Sequence, residues 1–255
     1  MARVPIKSRR EIELIRASCR IVAEVLALVG ARIKPGVQGK ELDAFAEEYI
    51  RSKGAVPAFK GLYGFPGSIC TSVNSEIVHG IPSKKRVLKE GDIVSLDVGV
   101  GYKGYFTDSA VTVPVGKIGP EAQRLLDVTK EALGAGIAAA KPGNHIGDIG
   151  AAVQAVVERA GYSVVRDLVG HGIGVEFHED PQVPNYGKPK RREKLVPGLT
   201  LAIEPMVNVG GPATKTLADR WTIVTVDGTL SAHFEHTVAI TESGARVLTG
   251  GNGVP

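Results

Sequence analysis

The sequence predicts an α/β (α+β) fold of two helix–helix–strand halves, related by a pseudo-twofold axis and sharing one curved, mostly antiparallel sheet. Three observations predict it. A Lys-Pro-Gly triplet stands at 34–36 and again at 141–143, an offset of 107 residues. Amphipathic helical patterns flank each triplet in the same order. A buried-strand pattern follows in each half, and at the same offset each carries one acid, Asp97 and Glu204. The repeat covers about 10–115 and 120–248 of what reads as a single domain, 1–255.

Taken in order, residues 10–31 place Ile12, Ile15, Cys19, Val22, Val25, Leu26 and Val29 near helical spacing, and the pattern stops at "IKPG". A second helix runs from Lys40 to Lys53, with Leu42, Phe45, Ala46 and Tyr49 on one side and Gly54 just past its end. "GDIVSLDVG" (91–99) is an apolar run of strand length. It continues into "DVGVGYKGYFTD" (97–108), a hairpin whose turn is expected between Tyr102 and Lys103. That register would set Asp97 directly opposite Asp108, with Cβ atoms about 4.5–5.5 Å apart. In the second half, Leu125, Val128, Ala132, Leu133 and Ile137 form a helical stripe ending at "AKPG", and a further helix spans 147–160. "GLTLAIEPM" (198–206) reads as a buried strand carrying Glu204. Residues 221–241 read as a strand, an Asp227-Gly228 turn and a longer returning strand. Alternation on that return puts Glu235 on one face with His233 and Thr237.

Composition bounds the function. The chain has 255 residues, 43% hydrophobic and 23% charged, with ordinary globular balance. No stretch approaches the roughly 20 apolar residues that span a bilayer, and the charged N-terminal segment lacks the apolar core of a secretion signal. Two cysteines, Cys19 and Cys70, suggest no disulfide framework, so a cytoplasmic location is expected. Net charge is +4, and the densest basic run is "KPKRREK" at 188–194. It reads either as a solvated loop or as a contact for an RNA-rich or acidic partner. There is no nucleic-acid signature beside it, so specific nucleic-acid binding is not expected.

The acids carry the chemistry. Asp97, Asp108, Glu204 and Glu235 all fall in strands otherwise patterned for burial. Opposed buried anions repel, and no lysine or arginine occupies the pairing positions to neutralise them. A metal cation is the economical counter-charge. "LVGHGIGVEFHED" (168–180) offers His171, cleared by Gly170, Gly172 and Gly174, and a second imidazole in His178. One imidazole with four carboxylates suits manganese, iron or cobalt better than a structural zinc. Four negative charges balance two divalent ions, a pair that can activate water for hydrolysis and polarise a carbonyl. His79 and His178 are then available to donate hydrogen bonds to substrate.

The strings "VNSEIVHGIP", "GDIVSLDVG", "YFTDSA", "GHGIGVEFHEDPQVPNYG", "GLTLAIEPM" and "HFEHT" resemble the bacterial type I methionine aminopeptidases, from about Glu11 to Leu248. The resemblance implies the pita-bread fold and two divalent ions (cobalt, manganese or iron). Asp97 would chelate one ion, Asp108 and Glu235 would bridge both, and His171 and Glu204 would complete the other site. It implies Glu204 as general base and then acid, His178 as stabiliser of the developing oxyanion, and His79 as the contact to the backbone nitrogen near the scissile bond. A methionine pocket would be lined by Phe59, Leu62, Phe65, Cys70, Phe177 and Trp221. Some relatives carry a cysteine and tyrosines at the first three; here all remain apolar, so an unbranched thioether still fits. The resemblance further implies a small second substrate residue and a sodium or potassium ion near Asn74 and Ser231. Nascent protein N-termini would be the substrates, with ribosome contact through 188–194, no membrane partner and a monomeric chain. One alternative is an Xaa-Pro aminopeptidase or dipeptidase of the same fold, although few residues precede the first helix here. A non-catalytic binding protein of that fold is the other; it would tend to lose ligands, and all five are present.

Overall fold

A computed structural model of the chain describes residues 4–250. Helix α1 (Arg9–Gly30) begins at Ser8, whose hydroxyl accepts the Glu11 amide while the Glu11 carboxylate accepts the Ser8 amide. Such a capping box contributes about 1 kcal/mol to the helix start. Its apolar stripe is buried, and α2 (Gly39–Ser52) packs beside it. The strands β1 (Val56–Pro57), β2 (Cys70–Val73), β3 (Glu76–Val78), β4 (Ile93–Tyr102) and β5 (Tyr105–Pro114) follow. Then come α3 (Pro120–Ala139), entered through a proline that needs no amide partner, and α4 (Ile146–Arg159). The remaining strands are β6 (Ser163–Val164), β7 (Gly170–Gly172), β8 (Glu179–Val183), β9 (Thr200–Ile203), β10 (Met206–Asn208), β11 (Thr214–Thr216), β12 (Ile223–Thr225), β13 (Ser231–His233), β14 (His236–Thr241) and β15 (Gly244–Val247).

Every ladder between these strands is antiparallel. One sheet runs β1–β4–β2 with β5 also on β4; a second runs β15–β14–β9–β7–β8; β13–β10–β6 and β11–β12–β3 are smaller. Helix α1 lies across β4 and β5, whereas α3 packs on α4, β9, β10 and β13. One apolar core gathers the inner faces of all four helices and the central strands. Among the described residues no helix is long and apolar enough to cross a membrane.

The two Lys-Pro-Gly turns do the same backbone work. Gly36 and Gly143 both adopt positive φ, 93° and 91°, and donate to Leu88 O and Leu195 O at 2.8 and 2.9 Å. Those two leucines are themselves 107 residues apart, and each returns its amide to the residue after the turn glycine, Val37 or Asn144.

Three sequence expectations need correction. The hairpin turn is Lys103-Gly104, one residue later than expected, closed by the Tyr102–Tyr105 pair. A two-residue turn matched to strand twist needs positive φ at both positions, and Gly104 (82°) after Lys103 (51°) supplies it where Tyr102-Lys103 would not. Asp97 therefore faces Ala110 and Asp108 faces Gly99. The acids are diagonal neighbours on one face rather than directly opposed. Glu204, next, is not inside a strand: β9 ends at Ile203 and β10 begins at Met206, because Pro205 has no amide to continue the ladder. Last, β12 and β13 do not pair as a hairpin, and the expected long return is two strands, broken at 234–235, so Glu235 lies outside strand alternation. Asp227 accepts the amides of Thr229 and Gly211, which ties the turn to the neighbouring loop, and the two strands join different sheets.

Candidate active site

A cavity of about 580 Å³ lies where the sheets meet, and it collects all four acids. Asp97 projects from β4 and Asp108 from β5. Glu204 and Glu235 sit in two facing strand breaks, between β9 and β10 and between β13 and β14. At these breaks the chain leaves one sheet for another, which frees both carboxylates from strand alternation. The first and second halves are stitched together here. Glu235 N donates to Ala110 O at 2.9 Å, and Ser109 Oγ donates to Glu235 O at 2.6 Å. Thr237 Oγ1 accepts Asp108 N at 3.2 Å and donates to Asp108 O at 2.7 Å. The backbones carrying Asp108 and Glu235 are thus fixed to each other.

His171 enters on β7, between β8 and β9. Its glycine neighbours explain the bare backbone: a Cβ on Gly170 would lie 2.3 Å from Ala202 O, and one on Gly172 would lie 2.4 Å from Asp180 O. The His171 Nδ1 is 2.8 Å from Gly172 O. A carbonyl only accepts, so Nδ1 carries the proton and Nε2 keeps its lone pair for the cavity. That Nε2 stands 3.7 Å from Glu204 Oε1. Ligand atoms of Asp108, His171 and Glu235 lie within 4.8 Å of one another.

The electrostatics fit a cation. Burial raises Asp97 to about 7 and holds Asp108, Glu204 and Glu235 well above the ordinary carboxylate range, with mutual repulsion adding to the last three. Burial also pushes His171 down to about 4, so it stays neutral. Asp97 Oδ1 and Glu235 Oε1 are buried without a hydrogen-bond partner among the described residues. The groups that approach Glu204 as ion-pair partners are imidazoles, His171 and His233. Orphaned carboxylate oxygens around a neutral imidazole nitrogen form a hard, anionic donor set that accepts divalent metal.

The other end of the cavity is apolar. Phe59, Phe65, Cys70 and Phe177 are buried, with Leu62 and Trp221 packed against them. Phe59 meets Phe177 edge-on at 5.4 Å and Phe65 meets Trp221 at 5.2 Å. Gly99 makes this possible, since a Cβ there would lie 2.7 Å from both Phe59 and Phe177. His79 lines the cavity with a left-handed backbone (φ 58°), and His178 stands at its exposed mouth, 4.5 Å from the His171 ring. Partial burial lowers both pKa values, leaving neutral N–H donors. All the expected ligands, histidines and pocket residues therefore line one cavity. Asn74 and Ser231 do not; they meet each other, Ser231 N donating to Asn74 O at 2.9 Å.

Among the lining residues that the sequence did not single out, two stand against the site's acids and histidines. His233 is 2% exposed, has neither ring nitrogen hydrogen-bonded among the described residues, and sets Nε2 3.6 Å from Glu204 Oε2. Its place on the Glu235 face of the strand pattern was the available signal. Tyr63, 77% exposed, stacks on His178 at 6.0 Å, and nothing in its neighbourhood of sequence marks it. The basic run 188–194 is a largely exposed loop at the start of α4, bonded to it through Lys190 N and Asp148 Oδ1.

Comparison with known proteins agrees with this geometry. Residues 13–242 match the model of metallopeptidase family M24. The chain is 54% identical over 243 residues to methionine aminopeptidase 1 of Bacillus subtilis, covering 95% of this chain and 98% of that one. It is 53% identical to the methionine aminopeptidase of Clostridium acetobutylicum over 96% of this chain and 98% of that one. Among solved structures, methionine aminopeptidase from Thermotoga maritima superposes with a TM-score of 0.96 at 46% identity, covering 98% of this chain and all of that one. Prolidase from Pyrococcus furiosus superposes at 0.78 and 26% identity; it covers 96% of this chain but only 65% of the prolidase.

Proposed function

The chain belongs to metallopeptidase family M24, and from that premise and the cavity's geometry we infer how it works. It has the pita-bread fold of that family. It is a metal-dependent exopeptidase that removes methionine from the N-terminus of peptides.

The observation that carries the mechanism is the pairing of two unlike walls in one cavity: buried acids without counter-ions, and an aromatic slot beside them. We assign Asp97, Asp108, His171, Glu204 and Glu235 to hold two divalent ions, cobalt, manganese or iron. When bound, such ions supply Lewis acidity, lower the pKa of water and offer a seat for a free amine, which selects chain ends over internal peptides. Glu204 takes the proton that the attacking water loses and returns it to the leaving nitrogen. His178 donates to the oxygen on which charge develops, and His79 contacts the backbone nitrogen near the scissile bond. Phe59, Leu62, Phe65, Cys70, Phe177 and Trp221 enclose the methionine side chain and exclude water.

The same reading takes nascent proteins with a small second residue as substrates of a monomeric, cytoplasmic enzyme. The exposed 188–194 loop would touch the ribosome. A sodium or potassium ion would sit beside Asn74 and Ser231, and residues 1–255 would form one catalytic domain with repeats about 10–115 and 120–248. The test is hydrolysis of Met-Ala-Ser and of Xaa-Pro peptides after chelation and re-addition of single divalent metals. Metal-restored cleavage of Met-Ala-Ser alone is expected; preference for Xaa-Pro substrates, or activity indifferent to chelation, would contradict the reading.

A further inference from the structure

We propose that the buried Lys7–Glu179 ion pair is a positioning clasp that sets both imidazoles of the site, His171 and His178, and through them the rate of turnover; this rests on the aminopeptidase reading above. The pair joins residues 172 apart in sequence, and its side chains are only 3% and 5% exposed. Glu179 Oε2 receives the Lys7 ammonium, while Oε1 accepts Val175 N at 2.8 Å and Glu176 N at 3.2 Å. One carboxylate thus gathers the turn that immediately precedes Phe177 and His178.

The clasp reaches both imidazoles by short routes. His178 is bonded directly to Glu179 in the chain. Glu179 is also the ladder partner of Gly172, whose carbonyl holds His171 Nδ1 at 2.8 Å. Displacing Glu179 would therefore move the exposed His178 and disturb the carbonyl that orients His171. Lys7 is itself anchored: its amide donates to Gly198 O at 2.8 Å. Its path is cleared by two glycines, since a Cβ on Gly174 would lie 2.4 Å from Lys7 Cε and one on Gly198 would lie 2.8 Å from Lys7 O.

Stability alone is a poor reason for this pair. A buried ion pair is often no better than an apolar pair of similar volume, whereas it does fix geometry. Position matters at this spot because His178 stands on a turn at the cavity mouth, and a displacement of about 1 Å at a catalytic group lowers rates roughly a hundredfold.

The experiment uses the full chain, with Lys7→Met, Lys7→Arg and Glu179→Gln. On the metal-loaded enzyme with Met-Ala-Ser, K7M is expected to lower kcat roughly tenfold to a hundredfold while KM stays within about twofold. K7R, which restores the cation, is expected to recover most of that loss. Amide hydrogen exchange at Val175 and Glu176 should quicken in K7M, in metal-free and loaded protein alike. If K7M does not fold, E179Q replaces it, since a carboxamide oxygen still accepts the two amides but no longer attracts Lys7; the same fall in kcat is expected. Wild-type kcat and unchanged exchange in the folded variant, even with a lowered Tm, would overturn the clasp. A wild-type chain inactive on Met-Ala-Ser would instead sink the reading of activity, and the exchange measurement would still decide the clasp.

Discussion

The cavity has an acid wall and an apolar wall, and the two were visible in the sequence to very different degrees. On the acid wall, each residue violates its surroundings. Burying an ionised carboxylate without a partner costs several kcal/mol, so an Asp or Glu within an apolar run is a signal in itself. On the apolar wall nothing is violated. Phe59 and Phe65 are as buried as many residues of the main core, and only the resemblance to a known family separated them from it. Function built from charge shows through burial statistics; function built from shape hides among the core.

If this contrast is right, substitutions on the two walls should fail differently. The largest effect is expected from Glu204→Gln, which keeps the volume and removes the proton carrier. Steady-state kinetics on Met-Ala-Ser should show kcat reduced about a hundred- to ten-thousandfold, with the circular dichroism spectrum unchanged. Retained kcat would mean that proton transfer runs through another group, His233 being the nearest to Glu204. A smaller effect is expected on the apolar wall. Leu62→Ala removes three carbons from a half-buried pocket side chain, and losing those partly exposed contacts should raise KM roughly three- to tenfold with kcat nearly kept. A fall in kcat with KM intact would erase the distinction between the walls.

The smallest effect separates the walls by pH. In the metal-free chain Asp97 titrates at about 7 rather than at the ordinary carboxylate value, because burial disfavours its charge. A carboxyl raised in the folded state stabilises the fold while protonated, and that contribution is lost as pH climbs through the folded value. Neutral His171 and His233 act in the opposite sense, but only at lower pH, below the ordinary histidine range. Between pH 6.5 and 7.5, above the range where the histidines act and across the folded value of Asp97, calorimetry should therefore find the metal-free Tm falling by about one to three degrees and then levelling off. The loaded protein should not follow, and a metal-free Tm that rises over this window would contradict the assignment.

The helices and the two Lys-Pro-Gly turns were legible because their signals are local. The 10–31 pattern became Arg9–Gly30 and the 147–160 pattern became Ile146–Arg159. Strand details were less so. The hairpin turn slipped by one residue because the positive-φ requirement falls on Lys103-Gly104; the face was kept, since moving the turn by one residue shifts the pairing by two and side chains alternate with period two. The breaks after Ile203 and before His236, which present Glu204 and Glu235, follow from Pro205 and from sheet switching, and alternation alone does not reveal them. Tyr63 and the Lys7–Glu179 pair stayed invisible because their meaning depends on partners far away in the chain.

The central claim is that acids from both halves converge on divalent metal. Its most direct measurement is calorimetric titration of the metal-free chain with manganese, beside Asp108→Asn and Glu235→Gln variants, one acid taken from each half. Two equivalents bound by the wild type, with affinity falling in both variants, is the predicted result. Binding that neither substitution weakens, or no binding at all, would contradict it.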